Sequence, residues 1–289
     1  CHGLQGCICM HQIQDIKMRF SAVKSAIFGV WTLFLLAQSG SGQTLNGVTL
    51  VKASIVSGSN DASKPFTVGL RFRMEKEWHL YWKNPGDAGL PIDVAWSLPP
   101  GYKALPLQHP VPVKKLSDDA TCYMYEHEVL LLATIVPPDR GKQKRVSIGA
   151  KLDWLACKDR CIRGGDSISI AIGTIPPTSI AENRALIAAW SKKLPHPLHD
   201  AGVTMGVPAV RQTADSVIVT LRFTGTGAKD ITDFFPESDE SFVLNHAAVR
   251  VGDRTVTLPY LKAESTARLR VLRGLVMKGA EGYETTLSF

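Results

Sequence analysis

The chain has 289 residues, 45% hydrophobic and 20% charged, an ordinary globular composition that excludes a disordered, collagenous or fibrous protein. The length suits one large or two small domains. The formal net charge of +7 permits an anionic partner, but no arginine-rich run or Lys/Arg–aromatic stripe accompanies it, so no nucleic-acid partner is expected.

The N-terminus reads as an export signal. Residues 1–17 form an upstream segment to which no function is assigned. From Met18 the pattern changes. Arg19 and Lys24 precede the apolar core Ala26–Ala37, and the small polar run Ser39-Gly40-Ser41-Gly42 follows. That order is a signal peptide over 18–42, with cleavage expected between Ala37 and Gln43. Its twelve-residue core is short for a transmembrane helix. Cleavage removes Lys17, Arg19, Lys24 and Asp15 and leaves a charge of about +5. No later apolar run approaches membrane-spanning length, so the mature chain is expected to be soluble in an exported, oxidising compartment.

Strand patterns fill the next part. Val68, Leu70, Phe72 and Met74 alternate with smaller or polar residues, as do Val146 to Trp154 and then Ile168, Ile170 and Ile172. Period-2 alternation places apolar side chains on one face of a half-buried sheet. Val129–Val136 is nearly uniformly apolar and predicts a strand covered on both faces. Turn-rich segments separate these runs, at Asn84–Gly89, Pro99–Gly101 and Pro137–Gly141. The pattern predicts an all-β sandwich over 43–175. Residues 176–199 read as a helical connector, opened by a capping box at Ser179 and Glu182, with Ile180, Ile187, Trp190 and Leu194 on one face. A second, smaller β-sandwich is expected over 200–289. Its candidate strands hold Val217–Phe223, Phe242–Leu244, Thr255–Leu258, Ala267–Leu272 and Tyr283–Leu287.

The chemistry concentrates in Trp154–Gly165, WLACKDRCIRGG. Two residues four apart on one strand lie about 13 Å apart. On a helix their Cβ atoms are about 5–6 Å apart, whereas a disulfide needs about 3.5–4.5 Å. A Cys157–Cys161 bond therefore requires a non-regular turn. The ring it closes is so short that it constrains the unfolded chain little. Lys158, Arg160 and Arg163 locally outnumber Asp159 and Asp166, which favours a thiolate. Three readings of the pair stand: a structural disulfide, a redox-active pair, or two soft ligands for copper(I) or zinc, with His79, His109 or His127 as third ligand. Cys122, in DDATCYMYEHE, is either a small buried side chain or an exchange partner for the pair.

Four ordered motifs carry a resemblance: WHLYWKNPGDAGLP at 78–91, WSLPPGY at 96–102, YMYEHEVLLL at 123–132 and WLACKDRC at 154–161. Together they resemble the N-terminal periplasmic region of the DsbD/ScsB-type thiol:disulfide interchange proteins. The resemblance implies an immunoglobulin-like first sandwich and a protein-disulfide reductase component. It implies a Cys157/Cys161 pair that passes electrons from a membrane-embedded donor to periplasmic thioredoxin-like or disulfide isomerase proteins. No bound cofactor is implied. It also implies that the segment around Asp118–Tyr125 caps the pair, with Tyr123 or Tyr125 shielding the disulfide and Asp118 or Asp119 tuning it. Cys122 in that region departs from the family pattern, as does the lack of the membrane and C-terminal thioredoxin-like segments of full-length members. Two alternatives remain beside the exchange reading. One is a copper(I)-handling protein using Cys157, Cys161 and His127. The other is a non-catalytic binding module with a structural disulfide.

Overall fold

The structure, a computed structural model, describes residues 43–45, 48–117, 120–139 and 143–289. The export signal and the segment before it lie outside the described residues. Eleven strands form the first part: β1 (Gln43–Leu45), β2 (Val48–Ser57), β3 (Phe66–Met74), β4 (His79–Gly86), β5 (Asp93–Ser97), β6 (Lys103–Ala104), β7 (Val113–Ser117), β8 (Ala120–Glu126), β9 (Glu128–Val136), β10 (Val146–Cys157) and β11 (Cys161–Ile172). They make two sheets, ordered β1-β2-β3-β9-β6 and β11-β10-β4-β8-β7, with β5 added beside β10.

The alternation seen in the sequence sets these faces. Phe66, Val68, Leu70 and Phe72 of β3 are buried, and so are Val146, Ile148, Ala150, Leu152 and Trp154 of β10. Removing such side chains from water stabilises by roughly 1.5–3 kcal/mol for each large one. The two sheets meet where the Phe72 and Trp154 rings pack edge to face, 5.6 Å between centroids. The largely apolar β9 is fully buried from Val129 to Ala133, because it pairs along nearly its whole length with β3 and lies inside the sheet.

The helix α1 spans Pro177–Ser191 and begins earlier than the expected capping box. Pro176 is the N-cap and makes no side-chain cap bond, so Ser179 and Glu182 fall inside the helix. Pro177 explains the shift: its fixed φ and missing N–H suit the first helical position. Trp190 is buried in the first core, with Leu186, Ile187 and Leu194 packed partly against it. Asn183 Nδ2 donates to the Ser57 carbonyl at 3.1 Å.

The remaining strands form two further sheets. One joins His196–Pro197, Glu281–Ser288, Val271–Lys278 and Asp233–Pro236. The other is built on Ser216–Thr224 and Thr255–Lys262. Ala267–Leu272 is only partly strand, since pairing starts at Val271. These sheets enclose their own core around Val217, Phe223, Phe234 and Leu258. The two parts are not separate bodies, because Gly40–Phe289 is one compact unit. Phe235, Leu275 and Met277, from the C-terminal part, belong to the first core.

Candidate functional site

β10 and β11 form one uninterrupted hairpin, paired from Val146↔Ile172 to Cys157↔Cys161. The two cysteines therefore occupy opposite strands and face each other directly. Lys158, Asp159 and Arg160 alone close the loop, with the Lys158 N–H donating to the Arg160 carbonyl at 3.1 Å. This supplies the non-regular turn that the spacing demands. The Cα atoms approach to 4.1 Å and the sulfurs are bonded.

The two sulfurs sit in different surroundings. Cys157 is 2% exposed, whereas Cys161 is at the surface. Cys157 packs in a small cluster of its own with Tyr81, Cys122 and Met124, and Leu155 lies against it. The sheet register explains the cluster. Cys157 pairs with His79 of β4. On β8, Glu126 is opposite His79 and Met124 is opposite Tyr81. Lys115 of β7 is opposite Cys122. Directly opposed residues and residues two apart share a face, so all these side chains line one face of the second sheet.

A loop returns over that face. The pairing of β4 with β8 breaks between Tyr81 and Gly86. Beyond the break, the Asp87 N–H donates to the Thr121 carbonyl at 2.8 Å, and Asp87 Oδ2 accepts the Thr121 N–H at 2.7 Å. The Cys122 thiol points to the Ala88 carbonyl at 3.7 Å. Gly89 has φ +107°, and a Cβ there would stand 2.4 Å from the Tyr81 ring. Backbone and ring pack this closely only because the residue is glycine.

His79 is the titratable side chain registered against the disulfide. Its Nε2 lies 3.2 Å from the Tyr81 hydroxyl, and the two rings pack edge to face at 5.2 Å. Burial holds its pKa below the ordinary 6.5, with Glu126 opposing that shift and Lys115 adding to it. Lys115 and Glu126 form an ion pair with each other. Two of the three cations noted in the sequence are also engaged, Lys158 with Glu77 at 2.7 Å and Arg163 with Asp153 at 2.8 Å, and Arg160 is exposed at the tip. The positive charge of Lys158 and Arg163 is thus compensated locally, and that of Arg160 stands at the surface.

The expected capping residues fare differently. Asp118 and Asp119 lie outside the described residues. Cys122 is buried in the Cys157 cluster and is not part of the disulfide. Tyr123 and Tyr125 do not shield the pair, because alternation along β8 turns them to the opposite face, into the first core. Tyr123 packs on Phe235 at 4.6 Å, and the Tyr125 hydroxyl donates to the Pro110 carbonyl at 2.8 Å. Burial pushes both phenol pKa values well up. The tyrosine that touches the disulfide cluster is Tyr81, signalled only by its place two residues after His79 in the WHLYW motif. His127 is exposed at a left-handed turn, φ 62°, and His109 lies with Trp82 and Lys83 around a separate cavity. Among the described residues no three His, Cys, Asp or Glu side chains are grouped to hold a metal ion. The Cys157–Cys161–His127 copper set is therefore not assembled.

The first part thus carries a disulfide on a hairpin tip of a two-sheet sandwich, one sulfur buried and one open. Residues 49–169, which include all the residues of this face, match the family described as thiol:disulfide interchange protein DsbD, N-terminal. The DsbD/ScsB resemblance of the sequence thus holds, and with it the immunoglobulin-like class of the first sandwich. Among solved structures, the chain is similar in fold to the N-terminal periplasmic domain of ScsB from Proteus mirabilis. The TM-score is 0.66 at 12% identity, covering 87% of this chain and 98% of that one. A second structure, the sporulation control protein Spo0M from Bacillus subtilis, aligns with a TM-score of 0.21 at 10% identity, over 74% of this chain and 91% of that one. No curated protein sequence matches.

Proposed function

We propose that the protein is a periplasmic thiol–disulfide exchange carrier. In this reading it takes electrons from a membrane-embedded donor and delivers them through Cys157 and Cys161 to thioredoxin-like or disulfide isomerase partners. The observation that carries it is the unequal burial of one disulfide: Cys157 is 2% exposed and Cys161 is at the surface. A partner sulfur can reach Cys161 only, so Cys161 forms the mixed disulfide and Cys157 resolves it. The exchange needs no bound cofactor. The family match over 49–169 supports this reading. Among the described residues no helix is long and apolar enough to cross a membrane, consistent with a donor in a separate membrane-embedded part.

The test is the equilibrium reduction potential of the pair, in a Cys122→Ala background, together with single serine variants. A potential between about −120 and −270 mV is expected for a working carrier. Cys157→Ser should accumulate mixed disulfides through Cys161, and Cys161→Ser few or none. A potential below about −300 mV would identify a structural staple and overturn the proposal.

A further inference from the structure

We propose that His79 accepts the proton of the buried thiol, making Cys157 the nucleophile that resolves the mixed disulfide. The inference rests on the exchange reading and assigns it a further residue. Once Cys161 is bonded to a partner sulfur, Cys157 remains as a thiol, and only its thiolate attacks. That thiol is buried beside Tyr81, Cys122 and Met124, where desolvation disfavours the thiolate. Water is a poor acceptor there. Of the neighbouring cations, Lys158 and Arg163 are already paired and Arg160 is exposed to solvent. Lys115 is paired with Glu126 in the same way.

His79 occupies the position directly across the ladder from Cys157. Cβ atoms of such opposed pairs are about 4.5–5.5 Å apart, within the span of an imidazole and a thiol. The groups facing His79 are Tyr81 on its own strand, Glu126 on β8, Lys115 on β7, and the two sulfurs on β10 and β11. The Tyr81 hydroxyl engages one ring nitrogen. A neutral imidazole has one donor and one acceptor nitrogen, and burial keeps this ring neutral at pH 7.

The Cys157 S–H proton passes to the imidazole, and the thiolate attacks Cys161 Sγ. The Cys157–Cys161 bond forms while the bond from Cys161 to the partner breaks. The partner sulfur leaves with the electron pair and takes a proton from water. His79 later returns its proton to solvent. The cysteine pair is oxidised and the partner disulfide is reduced by two electrons.

The experiment uses the full chain with Cys1, Cys7, Cys9 and Cys122 replaced by serine, reduced and mixed with 5,5′-dithiobis(2-nitrobenzoate). Attack by Cys161 releases one thionitrobenzoate; displacement by Cys157 releases the second. His79→Gln should leave the first release unchanged and slow the second on the order of tenfold at pH 7. In His79→Ala, added imidazole should restore the second release. In the chain with His79 intact, the second release should speed up as pH rises through a midpoint below 6.5. A midpoint near the thiol value of about 8.5 overturns the role of His79 without needing any His79 variant. A second release indifferent to both substitutions overturns it as well. The exchange reading fails separately, on a potential in the staple range, whatever His79 does.

Discussion

Gly89 shows how one missing side chain shapes the face that holds the buried sulfur. Its backbone lies against the Tyr81 ring at φ +107°, and Tyr81 in turn covers the Cys157 cluster. Gly89→Ala meets both a disfavoured φ and an occupied space, a cost of about 1–3 kcal/mol. The loop or the ring must move, so the variant should melt earlier and its disulfide should react faster with dithiothreitol. An unchanged melting temperature would contradict that packing. His109 makes a different residue-level prediction. Burial lowers its pKa from 6.5 to about 4, so the unfolded chain binds a proton that the folded one refuses. Stability from this residue is complete above pH 6.5 and is lost as pH falls towards about 4, amounting to about 3 kcal/mol at most. Urea unfolding at pH 7 and pH 4.5 should show a smaller acid loss in His109→Gln; an equal loss would remove His109 as its source.

The β10–β11 hairpin carries the disulfide at its tip, below eleven further cross-strand pairs. Those pairs already hold the cysteines together, and the covalent loop is very short. The chain-entropy relation then allows the bond at most about 2 kcal/mol of stability. Reduction should therefore lower stability by no more than that and leave the hairpin amide exchange protected up to its last turn. A loss near 4 kcal/mol or more would mark a staple and weigh against the carrier. Much of this hairpin is legible in the sequence, because both arms alternate and Cys-x3-Cys lies between them. The cross-strand geometry of the pair is not, since spacing arguments on a single strand or helix never bring i and i+4 into a facing ladder pair. The same limit explains Tyr123 and Tyr125. A motif tells that aromatic residues occur near the pair, but a one-residue step along β8 decides which face they take. The sequence offers His79 only as one of three histidines for a metal and gives Tyr81 no role, and only the β4–β10 register brings them beside Cys157. The helix starts ahead of Ser179 for a local reason, the proline at its first turn.

At the scale of the whole molecule, the two β parts are joined by more than a connector. Asn84 Nδ2 donates to the Pro236 carbonyl at 2.8 Å, and Lys114 pairs with Asp233 at 2.7 Å. The Lys83–Glu237 ion pair adds a third tie. His246, from the C-terminal part, stands between the Tyr123 hydroxyl at 3.5 Å and the Asp87 carboxylate at 3.8 Å. Surface ion pairs contribute little, so the apolar contacts should dominate: Phe235, Leu275 and Met277 are buried in the core of the first sandwich. None of these three residues falls in a strand that the sequence patterns predict; the strands Asp233–Pro236 and Val271–Lys278 carry them, and their side chains cross to the first part. The tryptophans make the coupling measurable. All those among the described residues lie between Trp78 and Trp190, so their fluorescence reports the first part and its helix alone. Phe235→Ala removes a buried ring from the far side of the junction, a loss of about 3–5 kcal/mol. If the two parts unfold together, the tryptophan transition should fall by that amount and coincide with the transition seen by far-ultraviolet circular dichroism. If they unfold independently, the tryptophan transition should stay near its original midpoint, and the shared core would then be too weak to couple the second part to the disulfide-bearing sheet.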